Sequence, residues 1–250
     1  MTGPGRTKGR GRRRAAWAVG AGLIRVLFGF GSVQAQDKPT QNNPASLLLF
    51  GSLEAGPSTF VGTGAKLALD RIDREGFVAL ASLGAGTRRE GAGRRETATG
   101  AAVVGYQWFR DWGVIAAYGG IEGSVEALTM GGATRFEPVR LGVRLHGEVW
   151  ARPAETTLLT ATAILDSSRT AAWGRLSWGW RLEPWPGWNP YLGPEFALYA
   201  DRTGYRKWNF GVHATDFAIG RFSLRTSAGL QFEPQGPASP YVALTVWTPW

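Results

Sequence analysis

The sequence predicts an all-β protein, a closed antiparallel transmembrane β-barrel of about 12 strands. Three observations carry that prediction. Apolar and polar residues alternate with period two through most of the chain, and no long helical pattern appears. The chain stops on an aromatic ring, Trp250, and stepping back by two meets Thr248, Val246, Leu244 and Val242, a mostly apolar face. A closing barrel strand has this form, with a lipid-facing side and an aromatic anchor at the interface. The N-terminus, finally, reads as an export signal.

The elements follow in chain order. Arg12, Arg13 and Arg14 make a charged start, Ala15 to Phe30 is mostly apolar with Arg25 interrupting it, and Val33-Gln34-Ala35 sets small residues where a signal peptidase reads. Residues 1–35 are therefore expected to be a cleaved signal peptide. The alternative, a membrane anchor, needs ~20 apolar residues, and this run is shorter. The residues flanking Arg13-Arg14 do not support a twin-arginine signal. This segment holds seven of the 28 basic residues and no acid, which leaves 21 basic against 19 acidic residues and a net charge of +2. The basic balance of the whole chain is thus no sign of nucleic-acid binding. The chain contains no cysteine, which excludes a disulfide framework and thiolate chemistry. Residues 36–44, DKPTQNNPA, read as a short polar tail, and residues 45–250 as one barrel domain.

Turn signals such as Gly56-Pro57, Gly131-Gly132, Arg152-Pro153, Pro184 to Gly187 and Thr203-Gly204 divide that domain. They leave expected strands at 46–54, 59–69, 77–87, 97–109, 113–127, 136–150, 155–166, 170–182, 190–201, 205–216, 220–233 and 239–248. The alternation is clearest over 221–232. Phe222, Leu224, Thr226, Ala228, Leu230 and Phe232 share one face; Arg221, Ser223, Arg225, Ser227, Gly229 and Gln231 share the other. In 139–150, Val139, Leu141, Val143, Leu145 and Val149 alternate with Arg140, Arg144, His146 and Glu148. Strands of about ten residues fit a tilted bilayer crossing.

An even strand number puts both termini on the same side, as in single-chain bacterial barrels, and that side is expected to be periplasmic. Trp108, Trp112, Trp150, Trp178, Trp180, Trp185, Trp188, Trp247 and Trp250 then fall toward that end. Of these, Trp108, Trp112, Trp150, Trp188, Trp247 and Trp250 are the expected membrane-interface aromatics, because an amphipathic ring prefers the headgroup level. A soluble β-sandwich also alternates, but it does not account for the tryptophans, the export signal and the aromatic terminus together.

Catalytic constellations are thin. The only histidines, His146 and His213, sit on the inward parity, whereas a lipid-modifying barrel enzyme needs its histidine facing its substrate. There is no G-x-S-x-G elbow, no H-E-x-x-H and no other metal pattern. No catalytic residue, cofactor or metal is expected. Glu122, Glu148, Glu195 and Asp201 are placed to line a lumen, where they either pair with Arg140, Arg144, Arg175, Arg181, Arg221 and Arg225 or shape a path for a solute. Gly62-Thr63-Gly64 and Gly84-Ala85-Gly86 are not phosphate loops, since no helix follows them. The pairs Arg88-Arg89 and Arg94-Arg95 are expected in a surface loop, either merely solvated or meeting lipopolysaccharide.

Four stretches carry a family resemblance: LLLFGSLEAGPSTFVGTGAKLALDRIDREGF from Leu47, VVGYQW at Val103 to Trp108, VRLGVRLHGEVW at Val139 to Trp150, and YLGPEFALYADRTGYRKWNFGVHAT at Tyr191 to Thr215. The sequence resembles the BcsS family of bacterial cellulose biosynthesis proteins over most of residues 47–247. The distinctive residues are Gly147-Glu148 and Gly193-Pro194-Glu195. The resemblance implies a bacterial outer-membrane protein that accompanies a cellulose synthase system, and it carries over no catalytic residue. A non-enzymatic barrel assisting cellulose export or assembly is the first expectation, and a small porin or solute channel the second. The expected partners are outer-membrane lipid and lipopolysaccharide, then cellulose and other cellulose-secretion components, with no nucleic acid. A glucan path needs rings that stack on sugar faces. Trp173, Tyr191, Tyr199 and Tyr205 have inward parity and are the candidates, with rim packing as their other reading.

Overall fold

The protein is described here by a computed structural model that covers residues 45–183, 189–234 and 236–250. The expected signal peptide and polar tail, and Trp185 and Trp188, lie outside the described residues.

The strands are β1 (Leu47–Ala55), β2 (Thr59–Ala68), β3 (Gly76–Glu90), β4 (Gly93–Arg110), β5 (Gly113–Met130), β6 (Ala133–Phe136), β7 (Arg140–Ala151), β8 (Thr157–Asp166), β9 (Ala171–Arg181), β10 (Tyr191–Ala200), β11 (Arg206–Ile219), β12 (Phe222–Phe232) and β13 (Ser239–Pro249). Each pairs antiparallel with its neighbours. The sheet closes because β1 pairs with β13, while β4 pairs with β5 and β5 with β7. The short β6 folds back on the upper part of β5, outside the ring, so the closed ring has 12 strands. Closure is what lets an extended chain cross hydrocarbon, since no strand edge is then left without a partner strand.

Side chains sort by parity. On β7, outward Leu141 is 84% exposed, while on β5 inward Glu122 is 2% exposed. Val104, Ile121, Val143, Leu145, Val212 and Leu230 also face outward. An apolar wall around a charged interior inverts a soluble protein and suits a bilayer. With the barrel end where β1 begins and β13 ends taken as periplasmic, the turns after β1, β3, β5, β8, β10 and β12 are extracellular.

Inward glycines make room for rings. A side chain on Gly64 would put its Cβ 2.4 Å from Cζ of Phe50, and on Gly84 its Cβ 2.5 Å from Cζ of Phe60. The glycine runs set aside as phosphate loops are thus seats for two phenylalanines inside the wall. Phe50 packs against the buried apolar cluster of Ala68, Val78, Leu80, Val103, Ala116 and Tyr118 at the periplasmic half.

Two expectations about elements are corrected. The basic pairs do not sit in a loop: β3 and β4 run on through Arg88↔Arg95 and Arg89↔Arg94 to a tight turn at Gly91, whose φ of 56° favours glycine. Strand β11 runs past 216 to Ile219 through a bulge, with Asp216 in the left-handed region at φ 66° and the register shifting between Thr215 and Phe217.

The chain's last residue closes the seam. Trp250 N donates to Leu47 O at 2.7 Å, Leu47 N to Trp250 O at 3.3 Å, and the Arg221 guanidinium lies 4.4 Å from the Trp250 ring centroid. Deleting Trp250 is expected to lower the membrane-embedded, heat-modifiable fraction relative to the intact protein. An equal fraction would make the ring incidental.

Candidate functional site: a bridged lumen

The inward residues meet one another across the barrel at three levels. At the extracellular level, Arg88 on β3 reaches the β10–β11 turn, which stands across the ring. It donates to Asp201 and, at 2.9 Å, to Thr203 Oγ1, and its guanidinium lies 4.1 Å from the Tyr205 ring centroid. Tyr199 Oη donates to Asp201 at 3.0 Å, and Tyr205 Oη to Glu233 at 2.6 Å. Glu126 on β5 accepts from Arg95 at 3.2 Å and from Arg202 of the β10–β11 turn at 2.9 Å. Lys207 pairs with Glu54.

At mid-height, Arg225 pairs with Glu195 and donates to Thr160 at 2.8 Å, and Ser227 donates to Glu195 at 3.0 Å. Arg144 donates to Glu122 at 3.0 Å. Lys66 on β2 reaches Glu148 on β7 at 3.3 Å, and His146 Nε2 lies 3.3 Å from the other oxygen of Glu148. At the periplasmic level, the Trp150 and Trp247 rings meet edge-on with centroids 6.0 Å apart, and Arg181 donates to Tyr191 Oη at 2.8 Å.

Buried charge demands such partners, since an uncompensated ion inside costs several kcal/mol. Of the charged residues expected in the lumen, Arg144, His146, Glu148, Glu195 and Arg225 come together in this way. Arg140 stands at the extracellular rim, 3.8 Å from Glu137. Of the aromatic candidates, Tyr191 is 1% exposed, Tyr199 and Tyr205 hold the upper network, and Trp173 lies under the Arg175 guanidinium at 5.4 Å.

Three placements differ from expectation. Trp150 and Trp247 are not interface aromatics: β7 and β13 stand opposite each other in the ring, so rings that touch from those strands do so through the interior. Arg221 is not in the lumen. It occupies the β11–β12 turn, and its guanidinium covers the outward rings of Trp250 and Phe222 at the headgroup level. Trp108 faces outward beside Tyr106, with centroids 5.1 Å apart, and Trp112 is exposed in the β4–β5 turn. The alternation puts Trp208, Phe210 and Phe232 on apolar faces, but it did not show that they join Phe196 in a second aromatic group, outward at the extracellular half. Their shared parity with Leu198 and Leu230 was the available signal. The sequence reading missed Lys66, Glu126 and Arg202; Lys66 interrupts an otherwise apolar strand and shares the parity of Phe60.

Asp201 lies in a turn outside the membrane. Burial alone would raise its carboxyl, but hydrogen bonds from Arg88 and Thr203 outweigh burial and hold it below its ordinary value of 3.8. A value lower in the folded state gives stability that is complete above the unfolded value and lost as pH falls through the folded one. Hydrogen exchange in the 201–205 turn, corrected for its intrinsic pH dependence, is expected to stay flat from about pH 7 to 5 and to rise below about pH 4.

A closed 12-strand barrel with an apolar outer wall, a charged interior and aromatic residues at both ends is an outer-membrane β-barrel protein. Residues 48–250 match the family described as cellulose biosynthesis protein BcsS, and the chain belongs to that family. No curated protein matches the sequence. Among solved structures, the barrel is similar to the translocator domain of autotransporter NalP from Neisseria meningitidis, at 11% identity and TM-score 0.47 over 84% of this chain and 90% of that one. It is similar to the β domain of the Bordetella autotransporter BrkA, at 16% identity and TM-score 0.47 over 82% and 98%. It is also similar to a KdgM porin in complex with disordered oligogalacturonate, at 7% identity and TM-score 0.40 over 81% and 99%.

Proposed function

We propose that this protein is a non-enzymatic accessory of cellulose biosynthesis that assists export or assembly of the polymer at the cell surface. The observation that carries the reading is membership of a cellulose biosynthesis family in a chain folded as an outer-membrane barrel. Polymerisation draws on a nucleotide sugar from the cytoplasm, which a barrel beyond the periplasm cannot reach. The role therefore comes after synthesis. Both histidines face inward, away from lipid substrates, which supports a non-catalytic role. The bridges across the lumen favour organisation of the chain at the surface over free passage of small solutes. Trp173, Tyr191, Tyr199 and Tyr205 are the proposed glucan contacts, reached when those bridges open.

Deleting the protein is expected to lower extracellular or properly assembled cellulose while synthase activity in inner-membrane vesicles stays unchanged. Normal extracellular cellulose in the deletion strain would sink this reading and favour a solute channel, which single-channel conductance of the purified barrel would then reveal. Complementation with Tyr191→Ala/Tyr199→Ala tests the contacts: full rescue keeps the cellulose role and discards these residues.

A further inference from the structure

On the outer wall of β3 and β4 two arginines stand directly opposite each other, Arg89↔Arg94. Their neighbours Arg88 and Arg95 turn inward to acids; Arg89 and Arg94 turn outward and are exposed. Like charges in register repel. Arg94 has Thr87 Oγ1 at 2.5 Å and Glu96 at 3.5 Å, with the Arg94 and Glu96 side chains 60% and 55% exposed. Arg89 has no acidic partner among the described residues. The pair lies beside the tight turn at Gly91, at the extracellular headgroup level.

A groove of about 630 Å³ crosses the same outer wall deeper in the bilayer. Its floor is small, with Ala65, Ala81, Gly100 and Ala102, and Leu49 on β1 and Leu141 on β7 stand at its two ends. Leu83 and Gly100, which line it, lie six residues along their strands from Arg89 and Arg94. At about 3.3 Å per residue and a tilt of about 45°, that is roughly 14 Å along the membrane normal. This is the separation between a lipid's phosphates and the middle of its acyl chains.

We infer that this wall binds a phosphorylated, multiply acylated glycolipid of the outer leaflet, its phosphates on Arg89 and Arg94 and an acyl chain in the groove. Planar guanidinium forks match phosphate oxygens bidentately, and an anion between them removes the repulsion of the pair. The inference is independent of any role in cellulose assembly.

The test uses the purified barrel in detergent micelles, with binding read by native mass spectrometry. The probes are diphosphoryl lipid A, the same lipid with both phosphates removed, and phosphatidylglycerol. Diphosphoryl lipid A is expected to bind one to one and at least about tenfold more tightly than either other lipid. Arg89→Ala/Arg94→Ala is expected to abolish that preference, and Ala81→Phe/Ala102→Phe to weaken binding with both arginines intact. Heat-modifiable mobility checks that each variant is folded. Should the double arginine variant fail that check, Arg89→Gln alone, at a residue without an ion pair, is expected to weaken binding by about threefold or more. Equal binding of the dephosphorylated lipid or of phosphatidylglycerol overturns the inference, as does undiminished binding by the arginine or groove variants.

Discussion

Replacing Gly193 with alanine is expected to abolish the folded barrel. A Cβ at this position would sit 1.9 Å from the backbone oxygen of Trp178 and 3.0 Å from Cα of Gly179, and backbone cannot swing aside as a side chain can. The β9–β10 ladder is already interrupted here, with register running from Leu192↔Trp180 to Glu195↔Ser177. Pro194, between them, brings no N–H to the ladder. The Gly-Pro-Glu motif thus has a division of labour: close approach at Gly193, a missing donor at Pro194, and an inward acid at Glu195. Gly147→Ala is the control, because a Cβ there meets nothing within 4 Å. The heat-modifiable band is expected to vanish for Gly193→Ala and persist for Gly147→Ala; equal folding of both would refute the packing argument.

Glu195→Ala is expected to destabilise the barrel by about 3–5 kcal/mol, the usual cost of stripping one partner from a buried ion pair. Arg225 is 4% exposed, and its remaining contact would be the Thr160 hydroxyl. Arg175 lies in electrostatic reach of Glu195, so the deletion leaves two cations without their shared acid. Glu195→Ala/Arg225→Ala is expected to recover part of the loss, because it removes the orphaned charge as well. Denaturant midpoints of the refolded barrel measure both. A double variant no better than the single one would show that the pair does not act as a unit.

The ring of 12 strands was legible because parity is a strong signal wherever lipid and lumen demand opposite chemistry. Residues 222–232 and 140–150 show this, and both become strands with the faces the alternation assigns. Less legible was where a strand leaves the membrane. From the headgroup level outward both faces are polar, alternation fades, and the arginines of the β3–β4 hairpin read as loop although the ladder continues through them. The four-residue β6 was invisible for the same reason. Trp150 and Trp247 were misread by residue type: a tryptophan near a barrel end suggests the interface, yet Trp150 shares the parity of His146 and Glu148, and parity was the better guide. The partners across the lumen, Lys66 with Glu148 or Arg88 with Asp201, depend on which strands face each other after closure, and local spacing does not encode that.

The seam between β1 and β13 has a consequence for how the molecule comes into being. Leu48 pairs with Pro249 and Ala55 with Val242, partners 201 and 187 positions apart in sequence. The equilibrium toll of such distance is small, because loop-closure entropy grows only logarithmically, by about 0.6 kcal/mol per doubling. The kinetic toll is larger, since non-local pairing slows folding. Until those strands meet, each presents a row of unpaired donors and acceptors, which hydrocarbon does not tolerate and which other chains readily join. The first and last strands are therefore the pair that any insertion factor has to shield, and their meeting is the step that commits the chain to the membrane.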